Sequence, residues 1–264
     1  MDYKQIIVSC EEKVGMITLN NPPRNDCTKR MITEMLDVLN KFEQDEKIWC
    51  VMINAKGSNF SGGAEENDLI NEMWDQDEGP TKTFAELGGE IVERLDCYPK
   101  PTLVAARGLC RGGSTTIFNA CDIRIAGESF NMKDGDIYYG LVGSWGMSSL
   151  RLPIWIGRNK VMDYMFLNEG FTGRQCYELG LVSKVVPDDQ VDEIGLSIAK
   201  KMATAAPVAV RYYKECVRKS IYHNLQDARA FELEASEKVY ETEDSKIGIK
   251  ALYADKLPAP FIGK

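Results

Sequence analysis

Twice in this chain a short apolar run ends in a glycine-rich loop that leads towards a helix, and this repeated arrangement limits the fold more than any bulk property. Cys50-Val51-Met52-Ile53 precedes the loop Lys56-Gly57-Ser58-Asn59-Phe60-Ser61-Gly62-Gly63-Ala64, and Leu103-Val104-Ala105-Ala106 precedes the turn from Gly108 to Gly113. Uninterrupted apolar runs of this length predict strands buried on both faces. Loops at the ends of such strands carry backbone N–H groups that secondary structure does not consume, and glycine lets a ligand come close to them. Neither GxxxxGK[ST] nor GxGxxG occurs, so a phosphate loop of either kind is excluded.

The flanking segments extend the pattern. Ile6 to Cys10 and Val14 to Leu19 read as a hairpin over Glu11-Glu12-Lys13, and Asn20-Asn21-Pro22-Pro23 breaks the second strand. Met31, Ile32, Met35, Leu36, Leu39 and Phe42 recur at helical spacing between Thr28 and Phe42. A polar stretch from Glu65 to Pro80 precedes a helix from Phe84 to Leu95, which Pro99 and Pro101 close. A small-residue helix from Ser114 to Ala120 and strands at Asp122–Ala126 and Leu181–Val186 follow. From Val191 onward only helical patterns remain, interrupted at Pro207 and finished by Pro258 and Pro260. The alternation predicts an α/β fold, a strand-rich spiral with covering helices over residues 1–198 and a helical assembly region over 199–264.

Charge and cysteine usage restrict function. Forty acidic against 32 basic side chains leave a net charge of −8, which repels nucleic acid, so an anionic ligand needs a local basic patch. The eight cysteines are scattered without CxxC or CxxH spacing, which predicts reduced thiols in a cytoplasmic protein and no metal site. No signal peptide or membrane segment is expected. The single histidine, His223, leaves no base for a Ser-His-Asp triad, and Gly143-Ser144-Trp145-Gly146 lacks the leading glycine of GxSxG.

Six segments in order carry a family likeness. Phe60-Ser61-Gly62-Gly63-Ala64-Glu65, Ala106-Arg107-Gly108-Leu109-Cys110-Arg111-Gly112-Gly113-Ser114, Ala120-Cys121-Asp122-Ile123-Arg124-Ile125-Ala126, Gly140-Leu141-Val142-Gly143-Ser144-Trp145-Gly146, Phe171-Thr172-Gly173 and Gly180-Leu181-Val182-Ser183-Lys184-Val185-Val186-Pro187 resemble the crotonase (enoyl-CoA hydratase/isomerase) superfamily. The likeness runs from about residue 5 to the C-terminus. It implies a crotonase-like spiral of repeated ββα units with a C-terminal trimerisation region, assembled as a homotrimer or homohexamer. It also implies an acyl-CoA thioester as the bound partner, with no cofactor beyond the coenzyme A of the substrate.

By the same resemblance, the N–H groups of Ala64 and Gly113 form an oxyanion hole, with Gly63 and Gly112 beside them. Such donors stabilise the charge that moves onto the thioester oxygen as an enolate forms. Arg24 matches a position near the CoA phosphates, and Lys256 and Phe261 match residues near the nucleotide of a neighbouring subunit. Tyr138, Tyr139, Ser144 and Trp145, with Thr116, are assigned to the acyl pocket.

The chain departs from the family in its acids. Hydratases of this family hold one water between two glutamates, and the first stands in G-G-G-x-E, where this sequence has Gly112-Gly113-Ser114-Thr115-Thr116. A threonine hydroxyl is no base near neutral pH. For the second, counting back from Gly140 gives Asp136 and counting forward from Phe130 gives Asp134, so both are candidates for the catalytic acid. Glu65, Glu66 and Glu90 are candidates to replace the missing glutamate. The expected chemistry is hydration or isomerisation of an enoyl-CoA, extending to cyclic or conjugated ones. One alternative is a ring-opening or carbon–carbon hydrolase on a β-keto acyl-CoA, although the histidine that the family's diketone hydrolases use near the Asp134 segment is absent. The other is a non-catalytic binding scaffold, which the intact oxyanion loops disfavour.

Overall fold

The computed structural model describes residues 3–68, 82–254 and 256–264. Most of the polar stretch Glu65–Pro80 thus lies outside the described residues. A six-stranded sheet runs in the order β1-β2-β3-β4-β6-β9, built from β1 (Ile6–Glu11), β2 (Val14–Leu19), β3 (Cys50–Ala55), β4 (Thr102–Ala106), β6 (Ile123–Gly127) and β9 (Lys184–Val186). Only β1 and β2 pair antiparallel, as the hairpin requires, and every later pairing is parallel.

A second, shorter stack repeats the same order. β5 (Leu109–Arg111) pairs parallel with β7 (Asn131–Lys133), and β7 pairs antiparallel with β8 (Phe171–Thr172). Parallel bridges continue the stack backwards from Cys110 to Ser61 and from Ala64 to Cys27. After β2, β3, β4 and β6 the chain therefore lays one segment in the long sheet and the next in the short stack. That is the spiral expected from the sequence, and its short stack places both glycine loops side by side.

Period-two side-chain alternation explains why the buried strands read as continuous apolar runs. Val51 and Ile53 of β3 face one core with Met31, Ile32, Met35 and Leu39 of α1 (Lys29–Gln44) and Ile91, Val92 and Leu95 of α2 (Phe84–Asp96). Cys50 and Met52, on the other face, meet Val191 and Ala199 of α3 (Val191–Met202). Thr28 caps α1 by accepting from the Met31 N–H at 2.9 Å, and Thr83 and Glu86 form a reciprocal capping box on α2.

Two readings change. Leu109–Arg111, expected as part of a turn, is a strand of the short stack. The last strand is confined to Lys184–Val186, because Leu181 and Val182 turn into the core after a short helix. The division at residues 198/199 lies within α3, which packs on the sheet. Beyond it come helices Pro207–Tyr222, Leu225–Tyr240 and Glu243–Tyr253. Among the described residues no helix is long and apolar enough to cross a membrane.

The contact of α3 with the sheet allows no side chain at Gly195, where a Cβ would stand 2.8 Å from Ala105 Cβ and 2.9 Å from Met52 Cε. Gly195→Val is expected to destabilise the fold by about 1–3 kcal/mol through overpacking, read as a lower urea midpoint at unchanged slope.

Candidate active site

The two glycine loops are stitched together by backbone hydrogen bonds. Phe60 N–H donates to Arg107 O at 2.9 Å, Ser61 N–H to Leu109 O at 2.9 Å, and Arg111 N–H to Ser61 O at 3.1 Å. Fully buried Asn25 shapes the first loop, its Nδ2 donating to the carbonyls of Lys56 and Asn59, both at 2.9 Å. Asn59 Oδ1 then accepts from Leu109 N–H at 3.0 Å. Two glycines make the approach possible. Gly108 has φ +63°, and a Cβ there would lie 2.0 Å from Ser58 O. Gly63 has φ +103° and sits where a Cβ would lie 3.1 Å from Arg111 O.

This ladder fixes the direction of two donors. Cys27 N–H donates to Gly63 O at 2.7 Å and Glu65 N–H to Cys27 O at 2.8 Å, so the residue between, Ala64, turns its N–H to the opposite edge. Gly113 opens the helix Gly113–Ala120, and a first-turn N–H has no partner within its helix. Among the described residues neither N–H is given an acceptor, and both residues are partly exposed.

Trp145 walls this spot. Its indole is buried between Gly88 and Gly113, where added Cβ atoms would stand 1.9 Å and 2.6 Å from the ring, and it meets Phe84 edge to face at 5.3 Å. Thr116 is buried and donates to Gly113 O within its own turn. It thus offers no carboxylate, and its hydroxyl is engaged. Of the proposed replacements, Glu65 accepts from Asn67 Nδ2 and Asp68 N–H, Glu66 is exposed, and Glu90 pairs with Lys82 at the surface.

The two aspartates differ. Asp134 is 2% exposed, and its Oδ2 accepts from Ser148 Oγ at 2.5 Å. Asp136 opens a 3-10 turn, Asp136–Tyr139, and its Oδ2 would lie 2.6 Å from a Cβ at Gly143. Burial first, and then the charge of Asp134 and its hydrogen-bonding contact, push the Asp136 carboxyl up to about 7. Of the pair, Asp136 keeps access to the surface.

The remaining candidates spread outward. Arg24 binds Asp26 through Nε at 3.2 Å and Gly62 O through Nη2 at 3.3 Å, beside the first loop. Arg111 donates to Asn131 and Cys110, and burial first, with the Arg24 charge a lesser cause, lowers the pKa of its guanidinium. These two cations form a local basic patch in an acidic chain. Gly63 and Gly112 flank the two donors, Gly63 O accepting from Cys27 N–H at 2.7 Å and Gly112 N–H donating to Lys133 O at 3.1 Å. Tyr138 donates to Phe166 O, Tyr139 is 77% exposed, and Ser144 is exposed. Ser148, which sequence reasoning passed over, is the serine that meets a carboxylate, four residues after Ser144. Lys256 is exposed, and Phe261 packs on its own chain against Gly248 and lines a cavity of about 310 Å³ with Trp49.

Comparison with known proteins finds relatives along nearly the whole chain. The family model described as "Enoyl-CoA hydratase/isomerase" matches residues 9–264. A "Probable enoyl-CoA hydratase" of Bacillus subtilis (strain 168) is 27% identical over 254 residues, covering 96% of this chain and 97% of that protein. The "2,3-dehydroadipyl-CoA hydratase" of Escherichia coli (strain K12) is 28% identical over 255 residues, covering 96% and 97%. The crystal structure of an enoyl-CoA hydratase from Bacillus anthracis superposes with a TM-score of 0.90 at 25% identity, covering 99% of this chain and all of that one.

Because the loop pairing leaves no room at Gly108, Gly108→Ala is expected to push Ser58 away and misalign the donors. Turnover of an acyl-CoA thioester should fall by about 10²–10³, the typical cost of one lost oxyanion donor, while the far-UV circular dichroism spectrum is retained.

Proposed function

The chain belongs to the enoyl-CoA hydratase/isomerase family, and on that premise we propose that it isomerises an enoyl-CoA through an enolate held by the N–H groups of Ala64 and Gly113. The observation that carries the reading is the pair of unengaged donors on adjoining loops, with an accessible carboxyl, Asp136, on the segment after Lys133, whose carbonyl binds Gly112 N–H, and none at Thr116. Asp136 removes a proton from the carbon alpha to the thioester, the oxygen takes up the charge under the two N–H groups, and the same proton returns to the gamma carbon. One acid suffices, because no water is activated. A carboxyl held near 7 exchanges a proton in either direction at neutral pH. Arg24 and Arg111 supply the local cations that an anionic CoA needs, and Trp145 excludes water from the donors.

The hydratase names of the relatives favour a second reading, addition of water to a conjugated or cyclic enoyl-CoA. Mass spectrometry of products from crotonyl-CoA, a 3-enoyl-CoA and a cyclic dienoyl-CoA separates the two. An isobaric product from the 3-enoyl-CoA is expected, whereas a gain of one water from either of the others replaces isomerisation by hydration. If no thioester is changed, the scaffold alternative takes over. Asp136→Asn is expected to lower kcat by about 10²–10⁴. Since the base must be deprotonated to abstract the proton, kcat/KM should rise with pH through about 7.

Self-assembly through the C-terminal helices is part of the same proposal. Tyr213, Val217, Ile221, Leu233, Tyr240 and Leu252 expose apolar surface there, which an interface between copies would cover. Light scattering is expected to give three or six times the chain mass of 29.6 kDa. A monomer would remove Lys256 and Phe261 from any role at a neighbour's nucleotide.

A further inference from the structure

Two carboxyls two residues apart, one deep and one near the surface, follow β7, whose Lys133 O accepts from Gly112 N–H, and the deeper has an unusual bonding pattern. Asp134 Oδ2 is fixed by Ser148 Oγ, but its Oδ1 is buried with no partner among the described residues. An unpartnered buried carboxylate oxygen is costly, and a donor is expected to face it. The Asp136 carboxyl, two residues on, faces Gly143, whose missing side chain leaves the room, and after burial the Asp134 charge and hydrogen bonding with Asp134 are what raise it. As a carboxylate Asp136 has nothing to donate; as an acid its O–H is a donor that can complete Asp134 Oδ1.

We infer that Asp134 is a positioning residue, an anion oriented by Ser148 that accepts the Asp136 O–H, so that the pair holds one shared proton in the resting enzyme. This rests on the reading of Asp136 as the acid/base. The second carboxylate of the site then stands behind the first, in the core, and not at Thr116. The catalytic step balances from the form in which the pair has released its shared proton to solvent, populated above about 7: the proton lost by the alpha carbon passes to Asp136, the O–H so formed donates to Asp134, and that proton is returned to the gamma carbon with no co-reactant. Like charges in one buried space cannot both ionise easily, so Asp134 makes Asp136 a stronger base than an isolated aspartate.

Other groups facing the pair do not replace Asp134. Tyr164, whose hydroxyl also lacks a described partner, keeps its proton because burial and the Asp134 charge push the phenol well up. Burial likewise raises Cys110 and Cys176, the latter to about 12, so both stay neutral. Arg111 is the nearby cation acting on Tyr164, and its Nη2 is held by Asn131 Oδ1.

The test is a carbon NMR titration of the substrate-free protein labelled at the aspartate carboxyls, run beside the pH profile of kcat/KM. Wild type should show one carboxyl titrating near 7 that is absent from Asp136→Asn. In Asp134→Asn that titration, and the midpoint of the kinetic profile, should move down by roughly one pH unit or more. Ser148→Ala keeps the Asp134 charge and keeps the inference testable should the asparagine variant not fold. There Asp136 should remain raised while the first proton loss of the pair moves to higher pH. An Asp136 that titrates as an ordinary carboxyl in wild type, or is unmoved in Asp134→Asn, overturns the inference. A wild type inert towards every thioester but with the raised titration intact would end the isomerase reading and leave the shared proton standing.

Discussion

Ser61 is fully buried, and its backbone binds the second glycine loop on both sides, through Leu109 O and Arg111 N–H. The geometry of the site follows from those two bonds. They set the distance between loops that belong to separate turns of the spiral and carry the second loop towards Ala64, whose N–H the Gly63 and Glu65 bonds to Cys27 turn outward. Made out of water, such bonds leave the loops little freedom. The neighbouring glycines serve this contact, because at Gly63 and Gly108 the partner backbone occupies the space of a side chain. Rigid donors are what enolate stabilisation demands, since a donor that must first reorient stabilises little.

Electrostatics follow from the same packing. The chain carries a net charge of −8, yet Arg24 and Arg111 come together at the loop mouth, and a buried aspartate stands beside an accessible one. Composition describes the average field, and an anionic thioester responds to the local one. Burial also determines which carboxyl is available to react. Asp134 faces Ser148 in the core, and Asp136 faces outward on a turn that Leu141 N–H closes by donating to Asp136 O.

Much of this was legible in the residues. The hairpin, the two buried strands before the glycine loops, helix α1 and the terminal helices follow from period and punctuation, which are local properties. Thr116 announced a missing carboxylate. The short stack was not legible, because Leu109-Cys110-Arg111 has the composition of a turn and becomes a strand only through partners at Ser61 and Asn131. Gly88 offered no signal either, being one glycine of a helix until Trp145 lies across it. Ser144 was singled out by its place in a motif, and Ser148, four residues on, met the acid.

By itself, the sequence determined which segments are strands and helices, that glycine loops end two buried strands, and that one of the family's two acids is absent, since each depends on residues near one another in the chain. Only the tertiary structure decided which N–H groups are left free, which aspartate reaches the surface and which serine orients the other. Those outcomes depend on contacts between segments tens of residues apart, whose direction is set by the register of one strand against another.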